Sequence, residues 1–384
     1  MNNFEFYCPT KAVFGKGSIA KLSELISKDK KILMIYGGGS IKSNGVYDQV
    51  KSALKDHNVI EFSGIEPNPT YETCMKAVEI VKKENIDFLL AVGGGSTLDG
   101  TKFIAAATHY EGEEPYDMVS KGAPLGKVLP LGSVITLPAT GSEMNSGAVI
   151  SRKSTNEKFA LHCNVLYPVF SIIDPEVTYS LPTKQTINGI VDTFVHVMEQ
   201  YATYDVNSPL QDSWALGLIK TLVEEGPKVL ANPNDYDARA NVFWCATCGL
   251  NFWLSCGLVQ DWATHRIGHE ITAFYGLDHG QSLAIILPRL WEQRKADKSK
   301  KLAKLGREVF GCTETDDIKA SDCAIKKTEE FFNSIGMPTK LSAYKVDSLE
   351  AAQRVQERFE QRGTLLGEDE KITPQMVYEI LKNC

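Results

Sequence analysis

The sequence lacks several features, and each absence excludes a class of protein. No stretch approaches the ~18 consecutive apolar residues of a membrane-spanning helix, so no membrane protein is expected. The opening Met1-Asn-Asn-Phe-Glu-Phe-Tyr7 has no basic region followed by an apolar one, so no secretory signal is expected either. Basic charge is not in excess: Lys and Arg number 41 against 48 Asp and Glu, a formal net charge of -7. That argues against nucleic acid or an anionic membrane as the main partner. With 43% hydrophobic and 23% charged residues, the chain is not of the disordered kind. Cysteine shows no paired framework. Nine are scattered from Cys8 to Cys384, an odd count that suits free thiols in a reducing cytoplasm. Only Cys245 and Cys248 form a C-x-x-C. They sit in Asn241-Val-Phe-Trp-Cys-Ala-Thr-Cys-Gly-Leu250, which reads as a buried helix, and no second C-x-x-C exists to complete a zinc site.

What is present is ordered in two halves. A chain of 384 residues is long enough for two domains. In the first half, apolar runs at 31–36, 58–62, 87–92, 134–138 and 169–174 read as strands, with helical patterns between the first three. The segments 149–152 and 159–162 read as a hairpin. Alternation of strand and helix implies a parallel sheet with crossover helices. After Leu181-Pro182 the apolar spacing becomes three and four, and helices are expected to the end. The boundary is placed at about 180.

Two turns carry the first chemical signal. Gly37-Gly-Gly-Ser40 and Gly93-Gly-Gly-Ser96 each follow an expected strand and precede an expected helix. Glycines let a backbone approach phosphate, and a helix N-terminus adds N–H donors. Neither turn is a full G-x-G-x-x-G, and either alone could be a tight turn. Two at equivalent places in one sheet favour a dinucleotide. The first continues as Ser40-Ile-Lys42 with no acid before Asp48. A hydroxyl and an ammonium suit a 2′-phosphate, which favours NADP(H) over NAD(H). Lys42 as a solvated surface lysine is the alternative.

Histidine is scarce, with seven in the chain, so its grouping is informative. His265 and His269 are four apart and share a helix face, and His279 follows a Gly-Leu-Asp turn that could return it beside that helix. Upstream, Asp192 and His196 are four apart in an otherwise apolar helix. Buried carboxylate and imidazole groups need partners. A divalent metal satisfies both. Four imidazoles and one carboxylate exceed the usual four-ligand count, which leaves one histidine, or an open coordination position, for chemistry.

Together these residues resemble the iron-containing, or group III, alcohol dehydrogenase family, and most closely its butanol dehydrogenase and NADPH-dependent aldehyde reductase branch. The resemblance runs from Tyr7-Cys-Pro-Thr-Lys-Ala-Val-Phe-Gly15 to the helical end. It is carried by the two glycine turns, Leu137-Pro-Ala-Thr-Gly-Ser-Glu-Met-Asn145, Asp192-Thr-Phe-Val-His196 and the 261–279 segment. It implies a dehydroquinate synthase-like architecture. Residues 1–180 would form an α/β dinucleotide-binding domain with a Rossmann-like parallel sheet. Residues 181–384 would form an all-α metal-binding and catalytic domain, with the active site in the cleft.

The metal ligands would be Asp192, His196, His265 and His279, holding Fe2+ or Zn2+, and His269 would lie near nicotinamide and substrate. Cofactor contacts would come from Gly38, Gly39, Ser40, Lys42, Gly94, Gly95, Ser96, Asp99, Thr136, Thr140, Asn145, Lys158 and Leu181. Val177 departs from relatives that carry tyrosine near the cofactor. The implied reaction interconverts short-chain aldehydes, such as butyraldehyde, with primary alcohols by hydride transfer. The metal would act as Lewis acid, and His269 or a water chain would move the proton. A cytoplasmic homodimer formed through the N-terminal region is expected. Phe252, Trp253, Trp262 and Tyr275 are candidate aromatic walls for the substrate.

A polyol dehydrogenase of glycerol type on the same fold is the alternative. A dehydroquinate-synthase-like enzyme would want several basic residues in its cleft, and 180–280 offers only Lys184, Lys220, Lys228, Arg239 and Arg266. A non-catalytic nucleotide-binding protein would have no use for the ligand set.

Overall fold

The computed structural model describes residues 1–384. The chain forms two compact units. One comprises Tyr7–Pro182 with Pro233–Thr247, and the other Met1–Phe6, Thr183–Asn232 and Cys248–Cys384.

The first unit is α/β. Its strands are β1 Lys11–Phe14, β2 Lys31–Tyr36, β3 Asn58–Ser63, β4 Phe88–Gly93, β5 Leu131–Ile135, β6 Gly147–Arg152, β7 Glu157–His162 and β8 Phe170–Ile173. Between them lie α1 Leu22–Leu25, α2 Ser40–Ser43, α3 Val46–Ala53, α4 Tyr71–Glu84, α5 Gly95–Ala107 and α6 Asp117–Ser120. Six strands make one parallel sheet in the order β1-β8-β5-β4-β2-β3, and β6 with β7 makes an antiparallel hairpin. The continuous apolar strand runs follow from burial on both faces. Ile32, Met34, Leu90 and Val92 pack on one face, and Leu33, Ile35, Leu89 and Ala91 on the other. That is the period-two alternation of a strand.

Register places the functional turns. Tyr36 pairs with Val92, and Val92 with Val134, so β2, β4 and β5 end level with one another. The chain leaves β2 for β3 on one side and then enters β4 on the other. This reversal is a topological switch point, where open α/β sheets bind ligands. Two strands differ from the sequence expectation. β5 begins at Leu131 and ends before Thr136, because its ladder to β4 starts there. β1 was not read at all: its apolar run, Ala12-Val13-Phe14, is only three residues long, and two of its four residues are exposed at a sheet edge.

The second unit is helical, with α7 Thr183–Tyr201, α8 Pro209–Ala231, α10 Ala263–Tyr275, α11 His279–Gln293, α12 Lys295–Val309, α13 Asp317–Ser334, α14 Ser348–Arg362 and α15 Pro374–Lys382; α9 is Tyr236–Gly249. Local chemistry sets several ends. Asp316, Asp347 and Thr373 accept backbone N–H bonds at the starts of α13, α14 and α15. Helix α10 stops at Gly276 in the left-handed region (φ 69°), and Asp278 with Gln281 makes a capping box for α11. That tight reversal returns His279 to the side of α10. No helix is long and apolar enough to cross a membrane.

Cys312 and Cys323 are joined in a disulfide, which corrects the expectation of free thiols throughout. The loop after α12 meets a turn of α13, a tertiary closeness that spacing along the chain does not disclose.

Candidate functional site

The helical unit gathers the histidines around one carboxylate. Asp192 and His196 lie one turn apart on α7, 3% and 5% exposed. Helix α10 supplies His265, and the first residue of α11 is His279. Asp192 Oδ1 is 3.5 Å from His196 Nε2, 3.6 Å from His265 Nε2 and 3.4 Å from His279 Nε2. Asp192 Oδ1 and His265 Nε2 are buried and have no hydrogen-bond partner. Such atoms are costly to bury unless something satisfies them.

The distances suit a cation. Metal–ligand bonds of about 2.0–2.1 Å to nitrogen and oxygen imply tetrahedral ligand–ligand edges of about 3.3–3.4 Å. The ligand atoms of Asp192, His265 and His279 all fall within 4.8 Å of one another. One carboxylate with imidazoles is a donor set that fits Fe2+ or Zn2+.

Neighbours shape the electrostatics. Burial pushes the Asp192 carboxyl up, but the charges of His196, His279 and His265 outweigh it and hold the group well below the usual carboxylate range. Burial pushes His265 down, but Glu199 and Asp192 outweigh it and raise the imidazole to about 9. Around His279, Asn188 Nδ2 donates to Asp278 Oδ2 at 2.9 Å, and Lys184 Nζ lies 2.9 Å from the same oxygen.

His269 is half-buried beside this group. Its ring is 5.5 Å from that of His279 and 6.4 Å from that of His265. Of the aromatic candidates, Trp262 lies edge-on to His265 at 5.3 Å. Trp253 instead packs 4.8 Å from Phe6 and 5.3 Å from Trp214. Tyr275 lies 5.7 Å from the Arg354 guanidinium, and Phe252 sits in a loop at a positive φ of 67°.

Of the predicted cofactor residues, Gly38, Gly39 and Ser40 follow β2, Gly94, Gly95 and Ser96 follow β4, and Thr136 and Thr140 follow β5, whereas Lys158 lies in β7. Gly39 adopts φ 102°, left-handed backbone that glycine tolerates, and Ser40 opens α2 exposed beside Gly38. Lys42 is exposed, with Nζ 5.3 Å from the Tyr36 ring and 5.1 Å from the Tyr47 ring. After β4, Gly94 and Gly95 lead into α5. A Cβ on Gly95 would fall 2.4 Å from Thr140 Oγ1, so glycine permits the approach of these two loops. Ser96 Oγ accepts from the Asn68 backbone at 3.3 Å, and Lys158 Nζ donates to Asn68 Oδ1 at 2.8 Å. The Thr136 N–H donates to the Gly93 carbonyl at 2.9 Å. Leu181 is half-buried and Val177 is buried.

Asp99 and Asn145 are turned inward. Asp99 accepts from Ser142 Oγ at 2.7 Å and from the Val149 N–H at 2.9 Å. Asn145 Oδ1 accepts from the Gly147 N–H at 2.9 Å and from Lys102 Nζ at 3.1 Å.

Two buried residues were missed in the sequence. Lys102 lies three residues after Asp99, and Glu199 three residues after His196. Both share a helix face with a residue already chosen, so helical spacing was the available signal.

Comparison with known proteins identifies the family. The model for iron-containing alcohol dehydrogenase matches residues 9–175, and the C-terminal model of the Fe-containing alcohol dehydrogenase family matches residues 186–384. The NADPH-dependent aldehyde reductase YqhD of Escherichia coli is 50% identical over 375 residues, 97% of each chain. The NADP-dependent alcohol dehydrogenase 3 of Entamoeba histolytica is 44% identical over 354 residues, 90% of each chain. The solved structure of NADH-dependent butanol dehydrogenase A from Thermotoga maritima superposes with a TM-score of 0.93 at 36% identity, covering 100% of this chain and 98% of that one. The chain therefore belongs to the iron-containing alcohol dehydrogenase family.

Proposed function

We propose that this protein is a metal-dependent, NADPH-linked aldehyde reductase that reduces short-chain aldehydes such as butyraldehyde and, in reverse, oxidises primary alcohols. One observation carries the reading: a buried carboxylate oxygen ringed by three imidazole nitrogens at 3.4–3.6 Å, with no hydrogen-bond partner of its own.

Asp192, His196, His265 and His279 would hold Fe2+ or Zn2+. A cation bound there supplies Lewis acidity toward a carbonyl oxygen. Gly38, Gly39, Gly94, Gly95 and Ser96 would cradle the dinucleotide phosphates. NADPH bound there supplies the hydride for the carbonyl carbon. Thr136, Thr140, Lys158 and Leu181 complete the cofactor contacts in this reading, with Asn145 held behind them by Lys102. Asp99 acts behind them, through Ser142 and Val149. Ser40 and the exposed Lys42 would meet the 2′-phosphate, and the NADP(H)-linked relatives support that preference. His269, beside His265 and His279, would pass a proton to the product oxygen. Trp262 would shield this chemistry from water.

The domains would divide near residue 180. The open edge at β1 supports a homodimer formed through the N-terminal region, and seven free cysteines support a cytoplasmic location.

The test is loss of absorbance at 340 nm with butyraldehyde and NADPH or NADH, before and after chelation and metal re-addition. Chelator-sensitive NADPH oxidation is expected. Equal use of NADH would sink the 2′-phosphate reading and leave the metal site standing. Full activity without metal would overturn the Lewis-acid role.

A further inference from the structure

Helix α7 carries a further buried polar residue on the face of Asp192 and His196. Glu199 lies seven residues beyond Asp192 and is 3% exposed. Its Oε2 is hydrogen-bonded to His265 Nδ1, and its Oε1 accepts the Thr264 backbone N–H at 2.6 Å. It therefore grips His265 twice, at the ring and through the first turn of α10.

The ring grip has a chemical consequence. An ionised carboxylate only accepts hydrogen bonds, so the proton on a neutral His265 ring belongs on Nδ1. Nε2 then presents its lone pair toward Asp192 Oδ1, 3.6 Å away, where the proposed cation would sit. A metal-bound imidazole needs this tautomer, and a carboxylate behind it strengthens the donor.

The surroundings keep a carboxylate in place there. The Asp261 N–H donates to the Glu199 carbonyl at 2.8 Å, and Asp261 Oδ1 accepts the Ala263 N–H at 2.9 Å. The α10 N-terminus is thus met by two acids, where the helix dipole favours them. Lys298 Nζ, 1% exposed, lies 2.9 Å from Asp261 Oδ2 and 2.8 Å from Glu368 Oε1. This ammonium offsets the acids gathered behind His265.

We propose that Glu199 is a positioning residue that fixes His265 as an Nε2 ligand. The proposal rests on the reading of Asp192, His196, His265 and His279 as the metal-binding set. Glu199→Gln separates the two grips. Its Oε1 still accepts from Thr264, but its amide then donates to Nδ1. The ring proton is forced onto Nε2, facing the cation.

The experiment titrates metal-free wild type and E199Q with Zn2+ and with Co2+ against a chromophoric chelator. The expected result, on metal-free proteins that both unfold cooperatively, is a Kd weakened about 10–100-fold in E199Q and an altered Co2+ absorption spectrum. A Kd within about twofold of wild type would overturn the proposal, as that is far below the loss expected of such a partner. Should wild type bind neither ion in a manner lost in D192N, the metal reading itself falls and this inference with it. If E199Q does not fold, 15N histidine spectra of metal-free wild type at high pH decide: an Nδ1–H tautomer at His265 supports the assignment, and Nε2–H refutes it.

Discussion

The Lys102 ammonium holds Asn145 by both of its oxygens, the backbone carbonyl at 2.9 Å and Oδ1 at 3.1 Å. The same Nζ reaches the Ser142 carbonyl and Oγ at 2.8 Å and the Gly147 carbonyl at 2.7 Å. Three N–H bonds are thus shared among five oxygens by a side chain that is 0% exposed. Burial pushes this ammonium down to about 8, against the opposing charges of Asp99 and Glu143. Lys102→Met keeps most of the stem, but strips the 142–147 loop of its donor and leaves two buried acids uncompensated. It should destabilise the protein by about 3 kcal/mol and raise the KM for NADPH. Urea unfolding and steady-state kinetics check both, and an unmoved midpoint would mean that the loop holds itself.

Removing a metal ligand should remove metal. His265→Ala and Asp192→Asn are expected to purify without stoichiometric Fe or Zn and to lose at least about 100-fold in turnover, several kcal/mol of Lewis-acid stabilisation. Elemental analysis of the purified variants gives the first answer and the 340 nm assay the second. Unchanged metal content in His265→Ala would refute the ligand set.

The metal-free protein should show a specific pH dependence. The folded His265 pKa of about 9 lies above its ordinary value. Its contribution to stability is complete below about 6.5 and is lost as pH rises through 9. Asp192 is depressed, so its contribution is present above the ordinary carboxylate value and is lost on acidification. A cation must displace the His265 proton. Metal affinity should therefore tighten with pH, by up to about tenfold per unit below the raised pKa. Isothermal titration in buffers of different ionisation enthalpy would detect the released proton. A pH-independent Kd would contradict this account.

Lys42 decides cofactor choice in our reading. Lys42→Ala should lower kcat/KM with NADPH about tenfold, the equivalent of one charge-assisted contact of about 1.5 kcal/mol, and leave NADH unchanged. Equal losses with both cofactors would place Lys42 outside the 2′-phosphate site.

Much of this molecule is written in local pattern. Apolar runs ending on glycine fixed β2 and β4 to within a residue or two, because strands buried on both faces must be continuously apolar. Helix spacing placed Asp192 with His196 and His265 with His269, and the two glycine turns fall where they were expected, between β2 and α2 and between β4 and α5. Each is a short-range property, readable within one or two turns of chain.

What the tertiary structure alone decided is how separate elements meet. The reversal at Gly276 and Asp278 sets His279 against α10, and only then do three imidazoles ring one oxygen of Asp192. Asn145 is held inward by Lys102, a buried cation whose five acceptors lie 40 or more residues further along the chain, and Asp99 by Ser142 and Val149. The Glu199–His265 hydrogen bond joins residues 66 apart, and the β1 edge strand exists only because β8 is there to pair with it. Periodicity reports which face of an element is buried; it carries no information on which other element covers that face.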